Sequence, residues 1–314
     1  MTLDASRRKG DGSIDTRAML NELQELGHAK GCAAALAALD SWREQSLELN
    51  AAMATVAISA CRKASAWTAA LQFLRKMAED HVERDTINFN VAVSVCERGG
   101  AWGPALKLLR EMAYTHVQRD TITYSAAISS CKKAGEWELA LQLLREMGEG
   151  HVEKNTITCS AAVSTCENAG AWGLALQILL GMAEDQVEKN MITYAAAASA
   201  CEKSGAWTMA LQLLGEMVEG HVERDRIAFN ATISACQKGG AQGPAMQLFR
   251  EMADVRVEMD VITFNAAVSS CGRGGDFELV FKLLNTMAEA HVEKDTITFN
   301  AAISSCETCR RWEL

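Results

Sequence analysis

The sequence predicts an all-α solenoid assembled from 35-residue helix–turn–helix repeats, and three observations predict it. Cys61, Cys96, Cys131, Cys166, Cys201, Cys236, Cys271 and Cys306 follow one another at intervals of 35 residues without insertion or deletion, the mark of a tandem array of one supersecondary unit. Each period carries two apolar stripes at the 3–4 residue spacing of a helical face, separated in most copies by glycine. Alternating strand patterns are absent, and the only two prolines, Pro104 and Pro244, fall where the first turn of a helix tolerates one.

Taken in order, residues 1–15 read as a disordered lead: they lack the apolar core of a secretory signal and are too acidic for a transit peptide. Residues 16–50 read as a degenerate capping repeat, with Met19, Leu20, Leu23 and Leu26 on one helix and Ala35, Leu36 and Leu39 on another. Seven complete repeats occupy 51–295, beginning at 51, 86, 121, 156, 191, 226 and 261. In the copy 121–155, Ile122, Tyr124, Ala127, Ile128 and Cys131 form the apolar face of helix A, which Ala134-Gly135 terminates. Trp137, Ala140, Leu141, Leu144 and Met147 then form the stripe of helix B, ending near Gly148 to Gly150. Residues 296–314 read as a truncated eighth repeat: Trp312-Glu313-Leu314 matches the opening of a helix B, so the chain is expected to be a fragment.

With 49% hydrophobic and 23% charged residues, the composition is that of an ordinary folded protein, and no apolar stretch reaches the ~18 residues a membrane span needs. Equivalent positions in stacked helices lie roughly 8–10 Å apart, beyond the ~7 Å at which a Cα pair can be bridged. The periodic cysteines are therefore expected to be buried thiols in a reducing compartment. A net charge of −9 argues against a nucleic-acid partner unless the charges are segregated. Segregation is present: acidic residues such as Glu146, Glu149 and Glu153 cluster in helix B and the turn after it, while cations recur near the end of helix A.

A 34-residue helical pair would point to tetratricopeptide repeats, which bind peptides. The period of 35 and the opening Thr-Ile-Thr-Tyr-Ser-Ala-Ala-Ile-Ser-Ser-Cys at 121–131 point elsewhere. Residues 51–314 resemble the pentatricopeptide repeat family. The likeness lies in an early aromatic of helix A (Phe89, Tyr124, Tyr194, Phe229, Phe264, Phe299), the glycine turn, the Ala-Leu of helix B, and its late methionine (Met77, Met112, Met147, Met182, Met217, Met252, Met287). That family usually places proline next to last in the repeat. Here Arg84, Arg119, Lys154, Lys189, Arg224, Met259 and Lys294 stand there, a change expected to loosen the inter-repeat turn. The resemblance implies a right-handed solenoid and, from the regular repeat length, the family's P class, whose members bind single-stranded organellar RNA and influence its stability, processing or translation. Such readers use about one repeat per base.

The resemblance also implies site residues: the fifth and last residues of each repeat would select the base. The pairs are Thr55 with Asp85, Asn90 with Asp120, Ser125 with Asn155, Ser160 with Asn190, Ala195 with Asp225, Asn230 with Asp260 and Asn265 with Asp295, and Asn300 opens an eighth. By the family's rules they spell 5′-GUAANUU-3′. The alternative is that the Asp and Asn residues are N-caps of the next helix A. Asn accompanies Asp in three repeats and Ser accompanies Asn in two, a linkage that capping alone does not require.

Ile87, Ile122, Ile157, Ile192, Ile227, Ile262 and Ile297 would wedge between successive bases, or pack in the core. Lys63, Arg98, Lys133, Lys203, Lys238 and Arg273 would contact phosphates, or complement the helix macrodipole.

Other constellations fail. His291-Val292-Glu293 with Cys306 and Cys309 mimics a zinc deaminase signature. However, His-Val-Glu recurs at 81–83, 151–153 and 221–223, and Cys306 belongs to the periodic series. The histidines at one turn position (His81, His116, His151, His221, His291) are expected to be structural, and the tryptophans opening helix B (Trp67, Trp102, Trp137, Trp172, Trp207, Trp312) to pack between helices. The expectation is a non-enzymatic protein without cofactor, metal, membrane contact or small-molecule substrate. Its partner would be single-stranded RNA in a chloroplast or mitochondrion, with a protein-interaction scaffold as the alternative.

Overall fold

The structure, a computed structural model, describes residues 51–63 and 65–308 together with residues 21, 22, 25, 34, 35, 37, 38, 41 and 42. The predicted lead 1–15, most of the capping repeat 16–50, and Cys309 to Leu314 lie outside the described residues. Among the described residues run the helices α1 (Ala51–Lys63), α2 (Trp67–Glu79), α3 (Thr86–Gly99), α4 (Trp102–Tyr114), α5 (Thr121–Ala134), α6 (Trp137–Glu149), α7 (Thr156–Ala169), α8 (Trp172–Glu184), α9 (Met191–Ser204), α10 (Trp207–Glu219), α11 (Arg226–Lys238), α12 (Gln242–Asp254), α13 (Val261–Gly274), α14 (Phe277–Glu289) and α15 (Thr296–Thr308), with no strand. The odd-numbered helices are helix A of successive repeats and the even-numbered ones helix B.

Contacts divide the chain into two units, Met1–Lys154 and Asn155–Leu314. In the first, α3 packs on α1 and α5, and each helix B (α2, α4) lies against its own helix A and the next one. The second unit repeats this scheme: α9, α11, α13 and α15 form a row of helices A, flanked by α8, α10, α12 and α14.

The apolar stripes explain the packing. Helix A buries its fourth, seventh, eighth and eleventh positions, as in Tyr124, Ala127, Ile128 and Cys131. Helix B buries its alanine, a leucine pair and the late methionine, as in Ala140, Leu143, Leu144 and Met147. Each large apolar side chain so buried contributes about 2 kcal/mol. In the second unit Phe249 meets Phe264 edge-on, with centroids 5.3 Å apart, inside a cluster completed by Val268, Cys271, Leu283 and Met287.

The helix ends follow from single residues. Helices A stop at glycines with φ between +64° and +73° (Gly100, Gly135, Gly170, Gly205, Gly275), where the absence of a Cβ makes the left-handed conformation accessible. Ser65 takes the equivalent place in the first repeat with φ 52°. Helices B close by the same double hydrogen bond: His151 N donates to Gly148 O and Val152 N to Met147 O. Here the left-handed residue is His81, His116, His151, Gln186, His221, Arg256 or His291, so the periodic histidines are turn residues at an unfavourable φ near 55°. Pro104 and Pro244 sit in the first turns of α4 and α12, as predicted.

The cations that replace the expected proline tie the repeats together instead of loosening them. Arg224 lies 5.1 Å from the centroid of Phe229 and pairs with Glu251, and Arg84 does the same with Phe89 (5.6 Å) and Glu111. Arg119 stands over Tyr124 at 5.6 Å and 3.7 Å from Glu146; Lys189 stands 6.0 Å from the Tyr194 centroid and 4.0 Å from Glu216. One side chain thus bridges the aromatic of the next helix A and a carboxylate of the next helix B.

Burial accounts for the cysteines. Cys61, Cys96, Cys131, Cys159, Cys166, Cys201, Cys236 and Cys271 are buried thiols. Burial pushes Cys96 up to about 12, and Cys131, Cys201, Cys236 and Cys271 up to about 11. They are packing groups held as neutral thiols.

Candidate RNA-binding surface

The last residue of a repeat is the N-cap of the following helix A, and its geometry follows from extended backbone placing a short polar side chain over the first turn. Asp85, Asp120, Asn155, Asn190, Asp225 and Asp260 all cap this way, each accepting from the backbone N–H three residues on. Asp295 accepts from Thr298 N at 2.8 Å.

The fifth residue lies within reach of that cap. Asn90 Nδ2 donates to both oxygens of Asp120 (3.1 and 3.0 Å), Asn230 Nδ2 to Asp260 Oδ1 (3.0 Å), and Asn265 Nδ2 to both oxygens of Asp295 (3.1 Å each). The Asn–Asp pairs are therefore direct contacts, and their joint occurrence has a physical cause. Burial tends to raise the Asp260 carboxyl. Hydrogen bonds from the Thr263 N–H and hydroxyl and from Asn230, together with Arg226, outweigh it and hold the group below the usual range. The backbone N–H of Thr298, with its hydroxyl and Asn265, does the same for Asp295.

The remaining pairs are indirect. Thr55 meets Asn88, whose Nδ2 lies 2.6 Å from its Oγ1, and Asn88 forms a reciprocal capping box with Asp85. Ser160 Oγ is 2.6 Å from Thr193 Oγ1, which is 2.8 Å from Asn190 Oδ1. Ala195 is buried without a polar atom, and Asp225 caps Ala228 N. Ser125 belongs to the first unit and Asn155 to the second, where Asn155 caps Thr158 N. Asn300 is exposed on α15.

Sequence reasoning missed one participant, the third residue of the next repeat. Thr123 donates to Asn90 Oδ1, and Thr263 and Thr298 donate to Asn230 Oδ1 (2.6 Å) and Asn265 Oδ1 (2.5 Å). A signal was available: this position is Thr or Asn in every copy from the second to the eighth except Ala228, and Ala228 follows the one repeat whose fifth residue is Ala195.

Beside each fifth residue the second residue faces solvent. Ile87, Ile122, Ile157, Ile192, Ile227, Ile262 and Ile297 are between 58% and 67% exposed, so core packing does not explain them. Ile122 accordingly leaves the apolar face of helix A to which its spacing assigned it.

The cations near the end of helix A reach back to the preceding repeat. Lys133 donates to Arg98 O, Arg98 to Arg62 O (3.4 Å), Lys203 to Asn168 O (3.3 Å) and Arg273 to Gln237 O (2.9 Å). Lys238 pairs with Glu202 at 3.1 Å. Each contact satisfies a carbonyl at or near a helix C-terminus or its acidic neighbour, and an ammonium or guanidinium retains further donors beyond it. The side chain of Lys63 lies outside the described residues.

Against other chemistries, the described residues hold no group of three metal-ligating side chains and no helix long and apolar enough to cross a membrane. Cys306 and Cys309, half of the apparent deaminase signature, have side chains outside the described residues.

Fold and surface together define a tandem helical-repeat protein that presents a polar pair in every complete repeat but the fifth, and an exposed isoleucine in every repeat from the second on. The profile of the pentatricopeptide repeat domain matches residues 107–169, 142–203, 177–239 and 247–308, well over half of the sequence, and the chain belongs to that family. Solved structures agree in fold. The pentatricopeptide repeat protein PPR10 from maize is 21% identical with a TM-score of 0.66, covering 94% of this chain and 42% of that one. The PPR domain of Arabidopsis thaliana protein-only RNase P 1, solved in complex with tRNA, is 16% identical with a TM-score of 0.52, covering 57% of this chain and 95% of that one. Nuclear proteinaceous RNase P 2 from A. thaliana is 12% identical with a TM-score of 0.54, covering 60% of this chain and 42% of that one. No curated protein matches the sequence.

Proposed function

We propose that the protein binds single-stranded RNA sequence-specifically, one base per repeat, with the core 5′-GUAANUU-3′ and a role in organellar RNA stability, processing or translation. The observation that carries this reading is the isoleucine at the second position: a β-branched apolar side chain left exposed at the same place in every repeat from the second to the eighth is costly unless something covers it. Splayed bases would cover it, stacking between successive isoleucines while the polar residues beside them meet the base edges. Arg98, Lys133, Lys203, Lys238 and Arg273 would contact phosphates with the donors their carbonyl and carboxylate contacts leave over. The net charge of −9 supports the competing reading, a protein-binding scaffold.

A titration of the whole chain with 5′-GUAANUU-3′ RNA and with a scrambled oligonucleotide tests the proposal. Tighter binding of the ordered sequence, weakening steeply with salt, is expected. Equal or absent binding sinks it in favour of the scaffold.

A further inference from the structure

Resting on that base-reading function, we infer that the third residue of each following repeat is a positioning residue. By occupying part of the fifth residue's hydrogen-bonding capacity, it fixes which group that residue keeps for a base: an acceptor where the fifth residue is Ser, a donor where it is Asn.

In the Ser/Asn repeat, Thr193 Oγ1 stands between Ser160 Oγ (2.6 Å) and Asn190 Oδ1 (2.8 Å). A hydroxyl carries one proton. Asn190 Oδ1 also takes the Thr193 backbone N–H at 3.0 Å, which identifies it as the amide oxygen, so the Thr193 proton must go to it. Ser160 must then donate its own proton to Thr193, and only lone pairs remain on Ser160 for a ligand. An acceptor beside the donor amide nitrogen of Asn190 complements adenine, whose edge carries an amine donor next to a ring-nitrogen acceptor.

In the Asn/Asp repeats the polarity reverses. Asn265 spends one Nδ2 proton on Asp295, and its Oδ1 lies 2.5 Å from the Thr298 hydroxyl, whose single proton it shares with Asp295 Oδ1 at 2.9 Å. The amide is pinned at both ends, leaving a second Nδ2 proton as donor and the carboxylate as acceptor. That order complements uracil, a carbonyl oxygen beside a ring N–H.

The fifth repeat supplies the internal control. Ala195 and Ala228 are both buried, and neither carries a polar group. Losing both partners together leaves nothing stranded, whereas losing one would leave a buried polar atom unpaired.

The test builds the missing arrangement. Ala195→Asn, alone and combined with Ala228→Thr, is titrated against four RNAs that differ only at the fifth base; Asp225 is already present. The double variant is expected to prefer uracil by about tenfold, the discrimination of a well-placed contact, and the single variant to show little preference. Equal uracil preference in both variants, or none in a double variant whose thermal midpoint shows it folded, overturns the inference. A loss-of-function arm covers misfolding: Thr193→Val should abolish adenine preference at the fourth base and Thr193→Ser should keep it, and an unchanged preference in Thr193→Val overturns the inference. The sixth base, read by unaltered Asn230 and Asp260, separates the two levels. If the native protein does not discriminate there, the base-reading function itself falls and this inference with it.

Discussion

The side-chain amide of Asn90 donates to both carboxylate oxygens of Asp120, at 3.1 and 3.0 Å, so a helix cap and a candidate base-reading side chain form one hydrogen-bonded unit. Capping and the proposed readout therefore draw on the same atoms, and substitutions that change the cap must disturb the Asn90 side chain.

Asp120→Ala removes the cap of α5 and strands the Asn90 amide. A lost cap costs about 1 kcal/mol and a stranded, partly buried donor somewhat less, so the variant should lose about 1.5 kcal/mol in urea unfolding. Asn90→Ala should cost about 1 kcal/mol, and the double variant less than the sum, because the two residues share the lost bond. Additive costs would show that the pair is not coupled.

Arg224 spans two helices, so its removal should be felt as an inter-repeat loss. Arg224→Met forfeits the contact over Phe229 and leaves Glu251 without its partner, at a cost of about 1 kcal/mol for partly exposed groups. The junction of the sixth and seventh repeats shows nature's compensation: where Met259 replaces the cation, the following helix B carries Thr286 in place of glutamate. Adding Glu251→Thr should accordingly restore part of the lost stability, as read by thermal midpoint in parallel samples.

His151 holds φ 52°, a conformation that a side chain with a Cβ resists. His151→Gly should stabilise by about 1 kcal/mol, and the same change at His221 should add to it, since the two sites are remote in sequence and share no partner. The opposite change, Gly135→Ala at φ 73°, should destabilise by about the same amount. A fall in the unfolding midpoint of His151→Gly would mean that its imidazole has a role the turn geometry does not reveal.

The buried thiols predict an alkaline limit. Their ordinary value is near 9, and burial raises Cys96 to about 12 and Cys131 to about 11. A raised native value means that the stability it contributes is complete below pH 9 and is lost as the unfolded thiols, but not the native ones, ionise above it. Stability should therefore be flat to about pH 9 and decline from there to about pH 11. Cys96→Ser and Cys131→Ser should flatten that decline. At pH 8 the native thiols should resist alkylation and react only on unfolding.

The fold was legible because a 35-residue period transmits its information redundantly. The positions of Cys131, Gly135 and Met147 recur eight, six and seven times respectively, each in the same register, and local helix signals agreed with the apolar stripes. Less legible was the difference between Ile122 and Ile128, two isoleucines on one helix. Spacing alone put both on the core face, but only packing between neighbouring helices decides which is covered: Ile128 is fully buried and Ile122 is 61% exposed.

By itself, the sequence determined the unit, its two helices, the caps at their ends and the positions where near-identical copies differ. These depend on contacts within a few residues or on the repetition of one pattern. Tertiary structure alone decided which side chains meet across the repeat boundary: Arg224 with Glu251, Thr298 with Asn265, Asn90 with Asp120. Those partners stand 27 to 33 residues apart and meet only because each helix A packs on the next. The direction in which their protons point is set by that packing, and no single repeat could have fixed it.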